Sequence, residues 1–208
     1  MQTNLPRLSR VARRPGLLIA VVAMLPLAGC ISFGAKPPPQ LLTLQSDYAP
    51  AVGATQNSAK ARSIVVQVPT SPASIAVTRV PVWTTPTEVA YVKNAQWSEP
   101  PTRLFARLLA DAATTRGNMV VLSSIQSIGD PSATLAGELR QFGFDGTQRQ
   151  AVVIYDAALT RAGKDTVEKR RFEARVPVAA IDAANAGTGL SQAANQVAAE
   201  VAAWVAQG

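Results

Sequence analysis

The chain has no histidine and only one cysteine among its 208 residues. Without histidine it lacks the usual general base and a frequent metal ligand, and it cannot form a serine–histidine–aspartate triad. A single cysteine cannot close an intramolecular disulfide, and no imidazole is present to activate its thiol. The acidic residues are scattered, and the glycines form no phosphate-binding loop. These absences predict a protein that is not an enzyme and binds no metal.

The N-terminal apolar run is too short to span a membrane. Leu17 to Leu27 is little more than half of the about 20 residues that a membrane-spanning helix needs. It follows a basic segment without acidic residues and is succeeded by small residues, as in a secretory signal. The basic residues are Arg7, Arg10, Arg13 and Arg14. We therefore expect residues 1–29 to be an export signal that is removed.

The only cysteine, Cys30, follows this segment within the sequence Leu27-Ala28-Gly29-Cys30. That sequence resembles the bacterial lipobox, in which the thiol is diacylated and the chain is cut just before the cysteine. The resemblance implies that Cys30 is the lipidated mature N-terminus, carrying covalent acyl (palmitate) and diacylglycerol groups and no other cofactor. Two or three acyl chains anchor a protein stably. In such lipoproteins, the presence of Ile31 in place of an aspartate implies sorting to the outer membrane. The alternative to lipidation is that Cys30 is a buried cysteine in an ordinary signal or anchor.

The net positive charge is small after the predicted cleavage site. The whole chain has 20 basic and 13 acidic residues, and removing the four signal arginines leaves 16 against 13, a net charge of +3. Aromatic residues make up only 5% of the chain, and the remaining positive charge is dispersed. We therefore expect no nucleic-acid partner.

Residues 30–40 contain Gly34 and three consecutive prolines, which disfavour both helix and sheet. We interpret this segment as a flexible tether. Residues 41–208 are then predicted to be one domain, because the mature chain is long enough to bury a core without disulfides.

The first part of the domain mixes strand and helix patterns. Strands are predicted over Leu41–Gln45, Arg62–Val68, Glu88–Lys93 and Asn118–Ser123. The prolines at positions 69, 72, 81 and 86 predict that strands between them are short or at an edge. A helix is predicted to begin at Pro100-Pro101, to bury an apolar face and to end with Gly117 as its cap. Arg107 and Asp111 lie one turn apart on its other side.

Ser132 to Val178 is predicted to be an antiparallel meander. Apolar residues shift from odd to even positions between Ser132 and Phe144, which indicates a β-bulge near Arg140-Gln141. Strands over Arg149–Thr160 and Thr166–Val178 follow, and Ala179–Gly208 is predicted to be a helix. Its apolar seam is Leu190, Ala194, Val197, Val201 and Trp204. The predicted fold class is α+β: a single domain with a mostly antiparallel sheet, a central amphipathic helix and a C-terminal helix packed on it.

Two surface features allow alternative interpretations. Lys169–Arg175 is either the solvated outer face of a strand or a contact for anionic lipid head groups, and strand alternation favours the first. The C-terminal seam either packs on its own sheet or pairs helices between subunits, and its short length favours the first.

The segment from Tyr91 to Pro100, YVKNAQWSEP, reads as a strand, a short turn and a proline helix start, with Trp97 as a core anchor. It also resembles a motif of the ABC-type transport auxiliary lipoprotein family, which includes the paraquat-inducible protein C lipoproteins. Tyr91, Trp97, Glu99 and Pro100 match that motif in order and approximate spacing, as structural or docking residues. The flanking strands and the alanine-rich terminal helix also match, whereas Asn94-Ala95-Gln96 and Thr188-Gly189 depart from the pattern.

The resemblance implies a non-catalytic outer-membrane lipoprotein on the periplasmic face. Such proteins accompany ABC transporters whose periplasmic component carries a mammalian-cell-entry (MCE) domain and which move phospholipids or other hydrophobic molecules between the two membranes. The expected partners are the membrane, an MCE-domain protein, a lipid cargo and further copies of this chain. A structural or assembly lipoprotein of another envelope complex is the alternative; an envelope hydrolase is disfavoured by the missing histidine.

Overall fold

The structure is a computed structural model that describes residues 40–59, 61–123 and 131–207. The predicted signal, Cys30 and nearly all of the predicted tether lie outside the described residues. Within these ranges the chain forms seven strands and two helices. In chain order they are β1 (Ser63–Val66), β2 (Arg79–Thr85), β3 (Glu88–Gln96), α1 (Pro101–Thr115), β4 (Val120–Leu122), β5 (Ala133–Asp145), β6 (Gln150–Arg161), β7 (Val167–Pro177) and α2 (Ala183–Val205).

Strands β5, β6 and β7 form the predicted antiparallel meander, which is confirmed. β6 lies in the middle and pairs along nearly its whole length with β5 on one side and β7 on the other. The turn after β5 is held by Asp145, whose carboxylate accepts the N–H groups of Thr147 and Gln148 at 3.0 and 2.9 Å. A short polar side chain that bonds its own backbone in this way stabilises a turn.

The predicted bulge in β5 is also confirmed. The pairing with β6 skips one residue between Leu139 and Gln141, so Arg140 has no opposite residue. Leu135 and Leu139 face the core before the bulge, and Phe142 and Phe144 face it afterwards. Because side chains alternate along a strand, only an extra residue allows both pairs to be buried on one face.

The other edge of β5 forms two short parallel ladders, each with a different strand. β1 pairs with the first residues of β5 and with β4, while β2 pairs with the last residues of β5. β3 pairs antiparallel with β2. The α+β prediction is confirmed; the sheet is mixed, with its long ladders antiparallel and its short ones parallel.

Two predictions about short strands are wrong. Pro81 lies in β2, which has seven residues and an interior place between β3 and β5. The strand tolerates this proline because its register with β3 is irregular between Arg79 and Pro81. The predicted strand Leu41–Gln45 is reduced to one bridge, between Leu42 and Trp97.

Helix α1 begins as predicted but ends differently. Pro100 occupies the N-cap position without a side-chain cap, and the predicted apolar face is buried. The left-handed residue after the helix is Asn118, with φ of 48°, and not Gly117. Gly117 is still required, because a Cβ there would lie 2.6 Å from the Ala113 carbonyl oxygen.

Helix α2 begins four residues later than predicted. Asp182 is its N-cap and accepts the N–H of Asn185 at 2.8 Å, which lowers the pKa of Asp182. All five residues of the predicted seam are buried within this chain. Trp204 packs on Phe172 of β7 with ring centroids 5.5 Å apart. The seam therefore packs on its own sheet, as the favoured interpretation has it.

Strand β7 separates its side chains into two faces, as predicted. Phe172, Ala174 and Val176 are buried, and the alternating charged residues are exposed. Arg171 forms two hydrogen bonds to Asp156, at 2.6 and 2.7 Å, which lower the pKa of Asp156. This part of the basic run is thus an outer sheet face carrying ion pairs.

Two arginines bind the carbonyl end of α2. The side chain of Arg161, about 10% exposed, donates to the Val205 carbonyl at 3.2 Å and to Glu168 at 2.8 Å. Arg62 donates to the Ala206 carbonyl. Cations at a helix C-terminus satisfy its free carbonyls and oppose its dipole.

We predict that Arg161→Met lowers the free energy of unfolding by about 2 kcal/mol, because it removes two charge-assisted hydrogen bonds from a nearly buried site. Arg140→Met is the matched control. The Arg140 side chain is 48% exposed and pairs with the exposed Glu138, so removing this arginine is expected to cost less than about 1 kcal/mol of unfolding free energy. Urea unfolding of both variants measures the difference; equal losses would contradict this role of Arg161.

Candidate interaction site

The motif segment connects β3 to α1 and buries its tryptophan. Trp97 is fully buried, and its ring meets Phe142 edge-on with centroids 5.6 Å apart. Phe105 of α1 joins the same cluster, 6.4 Å from Phe142 and 5.3 Å from Tyr155. Edge-to-face contacts of this kind stabilise a core beyond the area they bury. Trp97 therefore joins the sheet to the start of α1.

The backbone before Trp97 is strand rather than the predicted turn. β3 continues through Asn94, which has φ of 57°, to Gln96. The Trp97 N–H then donates to the Thr78 carbonyl at 2.7 Å. Its indole Nε1 is buried and has no hydrogen-bond partner within the described ranges. The polar Asn94-Ala95-Gln96 sequence thus extends an edge strand up to the buried anchor.

The other motif residues occupy different environments. Tyr91 is half-buried on β3 and has the Arg79 guanidinium 3.7 Å from its ring centroid. Pro100 caps α1, and Glu99 is on the surface beside it. The structure therefore brings Trp97, Glu99 and Pro100 together through the chain, while Tyr91 makes a separate cation–π contact.

Glu99 forms a two-point ion pair with Arg107, at 2.7 and 3.0 Å. These hydrogen bonds are the main reason that the pKa of Glu99 is lowered and the pKa of Arg107 raised. Arg107 thus bonds backward along the chain to Glu99, while Asp111, one helical turn away, is only a weaker electrostatic neighbour.

Residues Leu42–Tyr48, which we call the strap, contact both helices and end in a turn at Asp47 and Tyr48. Leu42 donates its N–H to the Gln96 carbonyl at 2.7 Å and accepts the Ser98 N–H at 2.8 Å. Further along, the buried Asn195 of α2 donates to the Gln45 carbonyl at 2.8 Å and accepts the Asp47 N–H at 2.9 Å. One side chain thus replaces the strand partner that the strap lacks.

An apolar groove lies between α1 and the β1–β4 pair. Its floor is formed by Ala106 and Ala110 of α1 together with valine and leucine side chains, and its volume is about 650 Å³. Val68 at its edge is 56% exposed, which is high for a valine beside a core. Glu99, Arg103 and Arg107 stand at its rim. We call this depression the α1–β4 groove.

The described part of the chain contains no cluster of three or more residues able to hold a metal ion.

Tyr155 is buried, which raises its pKa, and its hydroxyl donates to the Ala136 carbonyl at 2.8 Å. The other groups with shifted pKa values either take part in ion pairs or cap helix α2. None of the helices in these ranges is both long and apolar enough to cross a membrane.

Sequence patterns missed the residues that hold the strap. Asn195 and Ser191 are buried polar residues one helical turn apart on α2, beside the apolar seam. Buried polar side chains require partners, so their position next to Leu190 and Ala194 was the available signal. Their partner is about 150 residues away in sequence, which no local pattern specifies.

We predict that Arg107→Gln returns the pKa of Glu99 toward its ordinary value, because the bidentate bond is lost. Since the folded-state pKa is below the unfolded one, the pair stabilises the fold above the unfolded pKa and this contribution disappears as pH falls through the folded pKa. NMR titration of the Glu99 carboxyl measures the shift. Asp111→Asn is the control and should change little; a larger effect from Asp111→Asn would reverse the assignment.

Asn195→Ala is expected to release the strap at an overall cost of about 1–3 kcal/mol. Amide hydrogen exchange at Gln45 and Asp47 should accelerate more than exchange in β6. The exposed neighbour Gln192→Ala provides the control and should leave both amides protected. Unchanged protection in Asn195→Ala would show that the strap is held by other contacts.

One family is identified from the sequence, and two solved structures share the fold. The family model described as "ABC-type transport auxiliary lipoprotein component" matches residues 42–202. A crystal structure of a protein from Xanthomonas campestris, assigned to the family model DUF330, shares the fold with a TM-score of 0.66 at 21% identity, covering 80% of this chain and 95% of that one.

A second solved structure, of an uncharacterized protein, has a TM-score of 0.60 at 18% identity and covers 69% of this chain and 92% of that one. Among curated protein sequences, none shows significant similarity to the chain. At these identities the two structures support the fold, and the family match extends from the strap nearly to the end of α2. The chain belongs to the family of ABC-type transport auxiliary lipoprotein components.

Proposed function

We propose that this chain is a lipoprotein anchored to the periplasmic face of the outer membrane through Cys30, and that it is a non-catalytic partner in an MCE-type ABC transport system. The cargo is a phospholipid or a related hydrophobic molecule carried between the two membranes. The family match over residues 42–202 is the observation that carries the proposal. Because that match includes the strap, the sheet and both helices, it concerns the whole described domain.

Two further observations support a binding role. The groups with shifted pKa values in the described ranges serve as ion pairs, a cap or a core hydroxyl, so each already has a structural role. The sequence also lacks histidine altogether. ATP hydrolysis would then belong to another subunit, and this chain would act through its surfaces, as a homo-oligomer.

We assign the contact with the MCE-domain protein to the α1–β4 groove. Its exposed apolar floor suits an extended apolar segment of the partner. Arg103 at the rim forms no direct ion pair with the described residues, although its charge helps to lower the pKa of Glu99, so an acidic side chain on that segment would complement it. Glu99, from the motif that resembles the family, borders the same groove.

The test is affinity purification of the tagged, full-length protein from solubilised envelopes. We expect an MCE-domain protein to co-purify, and Val68→Asp to reduce its recovery about tenfold or more, since a charge placed in an apolar contact is strongly unfavourable. Val167→Asp is the matched control, because Val167 is equally exposed, at 56%, but lies on β7.

The purification results test the transport function and the assignment of the groove independently. If the unmodified protein recovers no MCE-domain protein, the transport proposal is wrong, and recovery of another envelope assembly would favour the structural alternative. If Val68→Asp and Val167→Asp both retain the partner, the function stands and the groove is not the contact.

Cys30→Ser tests the anchor. We expect the variant to fold, to retain residues 1–29 and to be lost from the outer-membrane fraction, because serine cannot form the thioether. Membrane fractionation and the apparent mass report both properties, with Ser98→Ala as a processed control. A Cys30→Ser protein that still fractionates with the outer membrane would exclude the lipid anchor.

A further inference from the structure

A second depression lies on the sheet face opposite the helices. It has a volume of about 250 Å³, and its walls come from the end of β2, the turn after β5 and the end of β7. Its lining includes Trp83, Gln141, Asp145, Gln148 and Arg175. It is separate from the α1–β4 groove and shares no lining residue with it.

An indole forms one wall of this depression, and its residue lies against two glycines of β5 and the following turn. A Cβ at Gly143 would clash first with the Pro81 carbonyl oxygen and would also lie 2.9 Å from the Trp83 ring, so glycine there lets both the backbone of β2 and the indole lie close to β5. The Gly146 N–H donates to the Trp83 carbonyl at 2.8 Å. Trp83 is only partly buried, although tryptophan is usually well covered.

The bulge in β5 directs a carboxamide to the same place. Leu139 and Phe142 both face the core, so the extra residue between them places Gln141 on the outer face. Bulges commonly re-aim a side chain in this manner. Gln141 and Gln148 form no side-chain hydrogen bonds within the described ranges, which leaves both amides available beside the indole.

The charges in the depression are already balanced. Arg175 pairs with Asp145 at 3.4 Å and with Glu173, while the other carboxylate oxygen of Asp145 accepts the turn N–H groups. A charged ligand would therefore find no uncompensated opposite charge. Neutral hydroxyl or amide groups suit two free carboxamides, because each carboxamide both donates and accepts.

We propose that this depression binds one neutral sugar ring of a glycan. The ring's C–H face would lie against the Trp83 indole, and its hydroxyl groups would bond the amides of Gln141 and Gln148. The volume is below the roughly 300–1,000 Å³ of sites for drug-sized ligands, so a single ring is the appropriate size. β5 is paired with β6 on one side and β2 on the other at this point, so an extended peptide cannot add there as a strand.

The experiment is NMR titration of the full-length, isotope-labelled protein in a detergent without sugar groups. The probes are maltotriose, cellotriose and tri-N-acetylchitotriose, each raised to about 10 mM, at which a site with millimolar Kd is largely occupied. We expect at least one of them to shift the Trp83 indole N–H and both glutamine side-chain amides with saturation.

Gln148→Ala should weaken that binding about 3- to 10-fold, as the loss of one hydrogen bond implies, and Gln192→Ala should leave it unchanged. Trp83→Leu should abolish sugar binding. Because Trp83 also packs on Gly143, the backbone amide spectrum of the Trp83→Leu variant establishes whether that variant is folded. The proposal is overturned if none of the three sugars shifts these signals, or if Gln148→Ala binds like the unmodified protein.

Discussion

The extra residue in β5 is the constraint on which the rest of the structure depends. Without it, Phe142 and Phe144 would point to the outer face, and Trp97 would lose the ring against which it packs. The same strand is also paired on both edges, with β6 along one and β1 and β2 along the other. A change in its register would therefore displace all three neighbours and both sides of the sheet.

Local patterns predicted the features that depend on neighbours in sequence. The shift of apolar residues from odd to even positions located the bulge, the proline pair located the start of α1, and the heptad seam located the buried face of α2. These patterns were sufficient because side-chain alternation and helical periodicity directly determine which residues can be buried together.

Contacts between distant segments could not be predicted in this way. The predicted strand at Leu41–Gln45 does not form a ladder. Instead, Asn195, about 150 residues later in the sequence, supplies hydrogen bonds to the strap where a neighbouring strand would. Pro81 is accommodated in the sheet interior by an irregular register with β3. Glu99 and Arg107 are eight residues apart and meet across the N-terminus of α1, where Pro100 is the N-cap. Each depends on tertiary geometry that the local sequence does not contain.

The motif that resembles the family has a divided physical role. Trp97 and Pro100 hold β3 and α1 together, so their presence follows from folding alone. Glu99 is different, because it stands at the rim of an apolar groove and is held there by Arg107. One short motif thus contributes both to the core and to the rim of a surface groove.

We propose above all that the domain functions by binding an MCE-domain protein in the cell envelope. Cross-linking mass spectrometry on intact envelopes tests it most directly, because Lys93, Lys164 and Lys169 are exposed at separate places on the domain. We expect cross-links from these lysines to an MCE-domain protein. Cross-links solely to proteins of unrelated envelope assemblies would contradict it.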